Sequence, residues 1–236
     1  MFTKSLQVLF AAGLLAVSVP AHASSVFERD RNWIVDLQFG GYSPRVDREL
    51  AGATPFKDTF GNKNRVLSQL GLQRLVFKDF GTLGIGANVG YSEFFGHGFI
   101  SGTDVQSADT THLQIVPITG FVSYRLDYPA VEWNIPFVPY GRAGIGAWIF
   151  WVSNGGGETS DDGKAKGVRW GWTASAGLQF MLDFFDPRLS AEFYREWGVA
   201  HTYVYVDWTH SKVTSFGRRG LDLSDDMWSG GIAFEF

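Results

Sequence analysis

The sequence predicts an all-β fold: an eight-stranded antiparallel up-and-down transmembrane β-barrel. Three observations predict it. Apolar side chains alternate with small or polar ones, period two, through most of the chain. Long connections rich in Gly, Ser, Thr, Asp and Lys alternate with short ones. The composition joins 21 Phe, 9 Trp and 29 Gly to a near-neutral mean hydropathy of -0.03. Beyond position 23 no apolar run approaches the ~20 residues of a membrane-spanning helix. A chain that crosses a bilayer without such a helix must pair its backbone groups between strands, in a closed barrel.

The first residues bear on the compartment. Lys4 precedes an apolar stretch from Leu6 to Val19, Pro20 ends it, and Ala21-His22-Ala23 fits a small-residue cleavage site. Residues 1–23 are expected to be a secretory signal peptide, leaving a barrel domain over 24–236. The chain has no Cys, which excludes a lipoprotein anchor after the cleavage site, disulfides and thiol chemistry. Of 20 basic residues only Lys4 lies in the leader, so 19 stand against 24 acidic residues in the exported part. No basic footprint for nucleic acid is present. Export with alternating strands implies the outer membrane of a Gram-negative bacterium, with outer-membrane lipid as the barrel's surroundings.

Each strand reads by its two faces. In the first, Trp33, Val35, Leu37 and Phe39 alternate with Asp36, Gln38 and Gly40. The second lies near Val66–Phe77, where Leu70 and Leu72 share a face with Arg74 and leave the phase open. In the third, Leu83, Ile85, Ala87, Val89 and Tyr91 alternate with Thr82, Gly84, Gly86, Asn88 and Gly90. The fourth, Thr111–Arg125, contains Pro117, which suggests a bulge or a strand end. In the fifth, Ala143, Ile145, Ala147, Ile149 and Trp151 alternate with Arg142, Gly144 and Gly146. The sixth, Val168–Asp183, sets Trp170, Trp172, Ala174, Ala176, Leu178 and Phe180 against Arg169, Gly171, Thr173, Ser175, Gly177 and Gln179. The seventh is expected from Leu189 to about Val206. It puts Arg195 on the lipid face, which costs about 2–4 kcal/mol at the bilayer midplane. That placement asks for snorkelling or a bulge near Gly198. The eighth alternates Trp228, Gly230, Ile232, Phe234 and Phe236 with Ser229, Gly231, Ala233 and Glu235.

The connections Pro44–Asn64, Gly96–Thr110, Ser153–Gly167 and Thr209–Asp226 are long. Those at Lys78–Gly81, Asp127–Pro136 and Phe184–Arg188 are short. Long outer loops and short periplasmic turns are usual for such barrels, and an even strand number puts both termini on the short-turn side. In a soluble barrel or sandwich the apolar set would instead form the interior. The apolar set here is unusually aromatic, and the other set too glycine-rich for an ordinary solvated face.

Several constellations could carry function. Asp36, Arg142, Arg169, Asp183, Glu192, Glu196 and Glu235 fall on expected inward faces. Small barrels have interiors that side chains just fill, so such charges must pair. This lumen charge network reads as a structural plug, with a narrow ion channel as the alternative. Trp33, Trp151, Trp170 and Trp172 sit where aromatic girdles meet headgroups. The terminal Ile232, Phe234 and Phe236 resemble the signal by which the barrel-assembly machinery recognises outer-membrane proteins. Physically they form an amphipathic edge strand open to pairing. Catalysis on lipid A or phospholipid would need a nucleophile, a base and an orienting acid at the outer rim. His201 and His210, with Ser211 and Ser215 nearby, are candidates without diagnostic spacing, so no catalytic residue is assigned. Asp161 and Asp162 lack the ordered ligand series of a calcium loop. No metal and no cofactor are expected.

The segments Arg31–Pro44, Phe80–Gly86 with Gly90-Tyr91, Tyr124–Asp127, Val138–Gly141 and Glu196–Tyr203 resemble a myxobacterial family of uncharacterised outer-membrane β-barrels. The resemblance spans most of the exported chain. It implies an outer-membrane barrel and supplies no activity. More loosely the architecture resembles the OmpA-type small barrels, without a periplasmic peptidoglycan-binding domain. The expected function is structural or surface-interactive and carried by the outer loops, whose ligand is unknown. An outer-rim lipid-modifying enzyme and a narrow channel are the alternatives.

Overall fold

The computed structural model describes residues 32–49, 52–78, 80–99, 106–133, 135–154, 156, 165–218 and 220–236. The expected signal peptide and the Asp161–Asp162 loop lie outside these residues. Eight strands form one closed barrel in chain order: β1 (Trp33–Tyr42), β2 (Arg65–Lys78), β3 (Thr82–Phe99), β4 (Gln106–Arg125), β5 (Phe137–Asn154), β6 (Lys166–Met181), β7 (His201–Lys212) and β8 (Asp225–Glu235). Every neighbour pair is antiparallel, and β8 closes on β1 from Ile34↔Glu235 to Gly40↔Ser229.

The alternation read from the sequence matches the two faces of the wall. In β1, Ile34, Asp36, Gln38 and Tyr42 are buried, whereas Trp33 and Phe39 are exposed. In β3, Ile85 and Val89 face outward; in β6, Trp170, Trp172 and Leu178 do so. The open phase of β2 resolves with Leu67, Gln69, Gln73 and Leu75 inside. Arg74 lies outside at the terminal rim, its guanidinium 5.8 Å from the centre of the Trp33 ring. Pro117 lies inside β4 without shifting its register. The β3–β4 ladder is interrupted there and resumes at Ser92↔Ile115, as expected of a residue with no N–H to donate.

The strands are longer than a bilayer crossing needs. β3, β4 and β5 have 18, 20 and 18 residues, and about 9–11 tilted residues suffice to cross. Their lower ends are level, through Thr82↔Arg125, Arg125↔Tyr140 and Phe137↔Phe180. The surplus therefore projects from the outer side as paired hairpins. The connections expected at Gly96, Ser153 and Thr209 begin inside continuing strands. The β1–β2 connection carries a 3-10 turn (Val46–Glu49) and helix α1 (Pro55–Phe60). Asp47 accepts bonds from the backbone N–H groups of Phe56 and Lys57, at 2.8 and 3.0 Å, and fixes α1 to the turn.

The short-turn side differs from expectation. Helix α2 (Tyr128–Trp133) joins β4 to β5. Residues expected to begin the seventh strand form helix α3 (Pro187–Trp197). The helix has clear local causes. Asp186 accepts from the Arg188 and Leu189 N–H groups, Pro187 occupies the first turn, and Gly198 ends the helix in the left-handed conformation at φ 74°. Arg195 is thus an exposed helix residue, and its poor fit to a lipid-facing strand is removed. Strand pairing starts only at His201.

Candidate functional site

The interior is built in tiers. At the end near the termini, Arg125 donates from Nη1 and Nη2 to Glu235 Oε2, both at 3.1 Å, and the Tyr203 hydroxyl donates to the same oxygen at 3.1 Å. Arg125 also lies 4.8 Å from the centre of the Tyr203 ring. One step further in, Arg142 Nη1 donates to Asp36 Oδ1 at 3.1 Å, and Tyr205 donates to that oxygen at 3.0 Å. Both pairs are buried, so each charge depends on its partner. Gly71 of β2 makes room: a Cβ there would come within 2.3 Å of Asp36 Oδ2.

Asp207 is the next buried carboxylate along the barrel; Asp222 and Asp225 are buried as well. Neutral donors meet Asp207: Gln38 Nε2 at 3.0 and 3.1 Å, the Tyr140 hydroxyl at 2.6 Å, and the Ser229 hydroxyl. Among the described residues no basic group lies within ion-pair distance of it. Beyond this tier is a cavity of about 40 Å³ lined in part by Gln38, Asn88, Thr119, Arg142, Thr173 and Ser175. Leu67, Phe121, Trp148 and Met227 also line it, and its polar side suits water.

The outer tier is apolar. Tyr42, Leu67, Phe94, Leu113, Ile115, Trp148 and Met227 from the strands pack with Val46, Phe56, Val213 and Leu223 from the connections. The Tyr42 hydroxyl donates to the Leu223 carbonyl at 2.7 Å and ties the end of β1 to the last connection. A lumen polar along its whole length was expected. The outer part instead resembles a soluble protein core, because the projecting strands and α1 enclose it away from lipid and water.

Among the residues expected in a lumen charge network, Asp36, Arg142 and Glu235 meet partners inside. Arg169 lies half-buried at the outer end of β6, 3.4 Å from Ser215 Oγ. Asp183 sits in the turn after β6, 2.6 Å from His201 Nδ1. Glu192 and Glu196 are exposed on α3, outside the lumen, because that segment is helical. Arg125 and Asp207 were not anticipated. Carrying the alternation through Leu189–Trp197 inverts the phase of β7 and turns Tyr203, Tyr205 and Asp207 outward. The alternative signal was present in Tyr203-Val204-Tyr205-Val206-Asp207-Trp208, whose purely apolar members share one face. Arg125 shares the phase of Ser123 and Thr119 and could have been found that way.

Trp33, Trp170 and Trp172 are exposed on the outer wall, and Trp151 is half-buried. Phe236 joins the seam: its carbonyl accepts from Asn32 N–H at 2.8 Å, and its N–H donates to the Trp33 carbonyl at 2.8 Å. His201 lies at the terminal end of the barrel rather than at its outer end. His210 contacts Asp226, which also contacts Arg45, with the Trp172 and Trp208 rings beside the imidazole at 5.3 and 6.1 Å. Ser211 is turned inward onto the Asp225 carbonyl, and Ser215 accepts from Trp170 N–H, so neither hydroxyl serves His210. A histidine with a fuller set of neighbours, not singled out from the sequence, is His112. Its Nδ1 lies 3.0 Å from Glu93 Oε1, and Glu93 also accepts from Tyr91 at 2.9 Å and Gln114 at 3.1 Å.

The model of the outer membrane protein beta-barrel domain matches residues 9–236. The chain belongs to this family. It is accordingly an outer-membrane protein. No curated protein matches the sequence. Solved barrels are similar at a distance. Neisserial surface protein A shares 12% identity over 87% of this chain and 96% of its own, with a TM-score of 0.47. Ail of Yersinia pestis, solved in complex with the heparin analogue sucrose octasulfate, shares 14% over 87% and 97%, with a TM-score of 0.44. OprG of Pseudomonas aeruginosa shares 17% over 87% and 95%, with a TM-score of 0.41. The assignment rests on the family match.

In this outer-membrane barrel the buried pairs yield a direct expectation. Asp36→Ala strands the Arg142 guanidinium and is expected to cost about 3–5 kcal/mol. Arg142→Ala in the same chain is expected to restore part of that loss. Urea unfolding of the four proteins of the double-mutant cycle in liposomes checks both.

Proposed function

We propose that this protein is a sealed barrel whose outer hairpins form a rigid surface platform, with a structural or surface-interaction role in the envelope. The observation that carries this reading is the closure of the lumen. Two cross-barrel ion pairs fill its terminal half, and the Phe56–Phe94–Trp148 cluster fills its outer mouth. Such packing among the described residues supports a barrel that does not conduct. The projecting β3–β4 and β5–β6 hairpins then hold the surface most exposed to partners, on a scaffold rigid enough to position it. The outward Trp33, Trp151, Trp170 and Trp172 serve as girdle residues in outer-membrane lipid, and the Ile232–Phe234–Phe236 strip presents the last strand to the barrel-assembly machinery.

A second reading places lipid-modifying chemistry at the outer rim, and the His112–Glu93 pair favours it. Glu93 holds the imidazole by Nδ1 and leaves Nε2 for a hydroxyl. Ser153, a buried residue, stands directly opposite His112 in the β4–β5 register. Acid, base and nucleophile thus follow one another across β3, β4 and β5 in the order acyl transfer requires.

Three measurements test these statements. Purified protein in planar bilayers is expected to show no conductance steps; steady unitary steps would remove the sealed-barrel reading. Deleting Phe236 is expected to lower the amount of heat-modifiable barrel in the outer membrane, and unchanged levels would count against an assembly role. For the second reading, lipid A from expressing cells is expected to lose acyl mass, with the loss abolished by His112→Ala. Identical spectra with and without the protein would discard it.

A further inference from the structure

Among the described residues, helix α3 leaves a large apolar face without a protein partner. Leu189, Phe193 and Trp197 recur at i, i+4 and i+8 and so share one face. They are 55%, 40% and 71% exposed. Ser190 and Tyr194 are half-buried, while Arg188, Glu192, Arg195 and Glu196 are exposed around the rest of the helix. A soluble environment would disfavour such a stripe next to two further exposed rings, Phe184 at 53% and Phe185 at 73%.

Its surroundings indicate what covers it. The outward faces of β5 and β6 end in Phe137 and Phe180, whose ring centres are 5.1 Å apart. Phe180 contacts Phe185 at 5.4 Å, and Phe185 contacts Phe184 at 6.2 Å. The lipid-facing wall therefore continues, ring by ring, to the start of α3. This occurs at the end of the barrel that carries the termini, which faces the periplasm. The two arginines and two glutamates of the helix balance, so apolar burial rather than attraction to anionic headgroups governs its docking. Trp197 closes the stripe with the residue type most at home at headgroup level.

We propose that α3 lies in the plane of the periplasmic leaflet, with its Leu189–Phe193–Trp197 face among phospholipid acyl chains and its charged face in water. The helix then acts as an outrigger on the β6–β7 side of the barrel and sets its tilt. This rests on the outer-membrane placement of the chain, and the test separates the two. The sequence has no Cys, so single substitutions of exposed residues accept spin labels without competition. Leu189→Cys, Phe193→Cys, Trp197→Cys, Glu192→Cys and Glu196→Cys are labelled in the full chain in phosphatidylcholine liposomes. Ile85→Cys, on the barrel wall, reports insertion separately. Collisions with oxygen, which enters lipid, are compared with those of a water-soluble nickel chelate. Positions 189, 193 and 197 are expected to favour oxygen, as Ile85 does, and positions 192 and 196 to favour nickel. With Ile85 in lipid, nickel access at all five helix positions would place α3 in water and overturn the proposal. Exclusion of both reagents at 189, 193 and 197 would also overturn it, because a protein partner or a second copy would then cover the face.

Discussion

Backbone pairing across the seam between β8 and β1 is the constraint on which the rest of this structure depends. In hydrocarbon an unpaired N–H or C=O has no water to turn to. A sheet of these strands is tenable only if its first and last members meet. Ile34↔Glu235 through Gly40↔Ser229 supply that closure, and the bonds of Phe236 with Asn32 and Trp33 extend it to the end of the chain. Closure of eight strands also fixes the interior, which is just wide enough for side chains to fill.

Filling that interior is an electrostatic problem as much as a steric one. The described tiers hold Arg125 and Arg142 against Glu235, Asp36 and Asp207. Two of the carboxylates take an arginine, and each accepts a tyrosine hydroxyl on the same oxygen. Asp207 is met instead by the Gln38 amide and by the Tyr140, Ser229 and Thr209 hydroxyls, which provide hydrogen bonds without another buried cation. Aromatic rings line the guanidinium groups: Arg142 lies 5.2 Å from the centres of both the Phe121 and Tyr140 rings. Such contacts suit a weakly hydrated, planar cation better than a lysine. Further out the filling becomes apolar, because the wall there no longer borders lipid and the first connection folds over the mouth.

The two ends of the barrel consequently present different chemistry. The outer end offers paired strands, ordered polar clusters around Glu93 and Asp226, and a closed apolar core beneath them. The periplasmic end offers helices with exposed aromatic faces continuous with the barrel wall. The surface role proposed above draws on the outer hairpins, and the proposed lipid contact draws on the amphipathic α3. These properties follow from where each segment leaves the bilayer rather than from any one motif.

By itself the sequence determined the number of strands, the lipid face of β1, β3, β5, β6 and β8, the side on which the termini lie and the need for a closed barrel, while it left the phase of β2 open. All of these follow from near neighbours: residues two apart share a face, and turn residues interrupt the pattern. It misled at Leu189–Trp197, where apolar residues at helical spacing also satisfy a loose alternation, and the error reversed the phase of Tyr203, Tyr205 and Asp207. The Asp186–Pro187 start and Gly198 stop were legible helix signals. Only the tertiary structure decided which charges meet, since Arg142 reaches Asp36 across 106 positions and Arg125 reaches Glu235 across 110. Those distances along the chain are crossed only when the wall closes on itself. A pattern of period two records which way a side chain points and holds no information about what stands opposite.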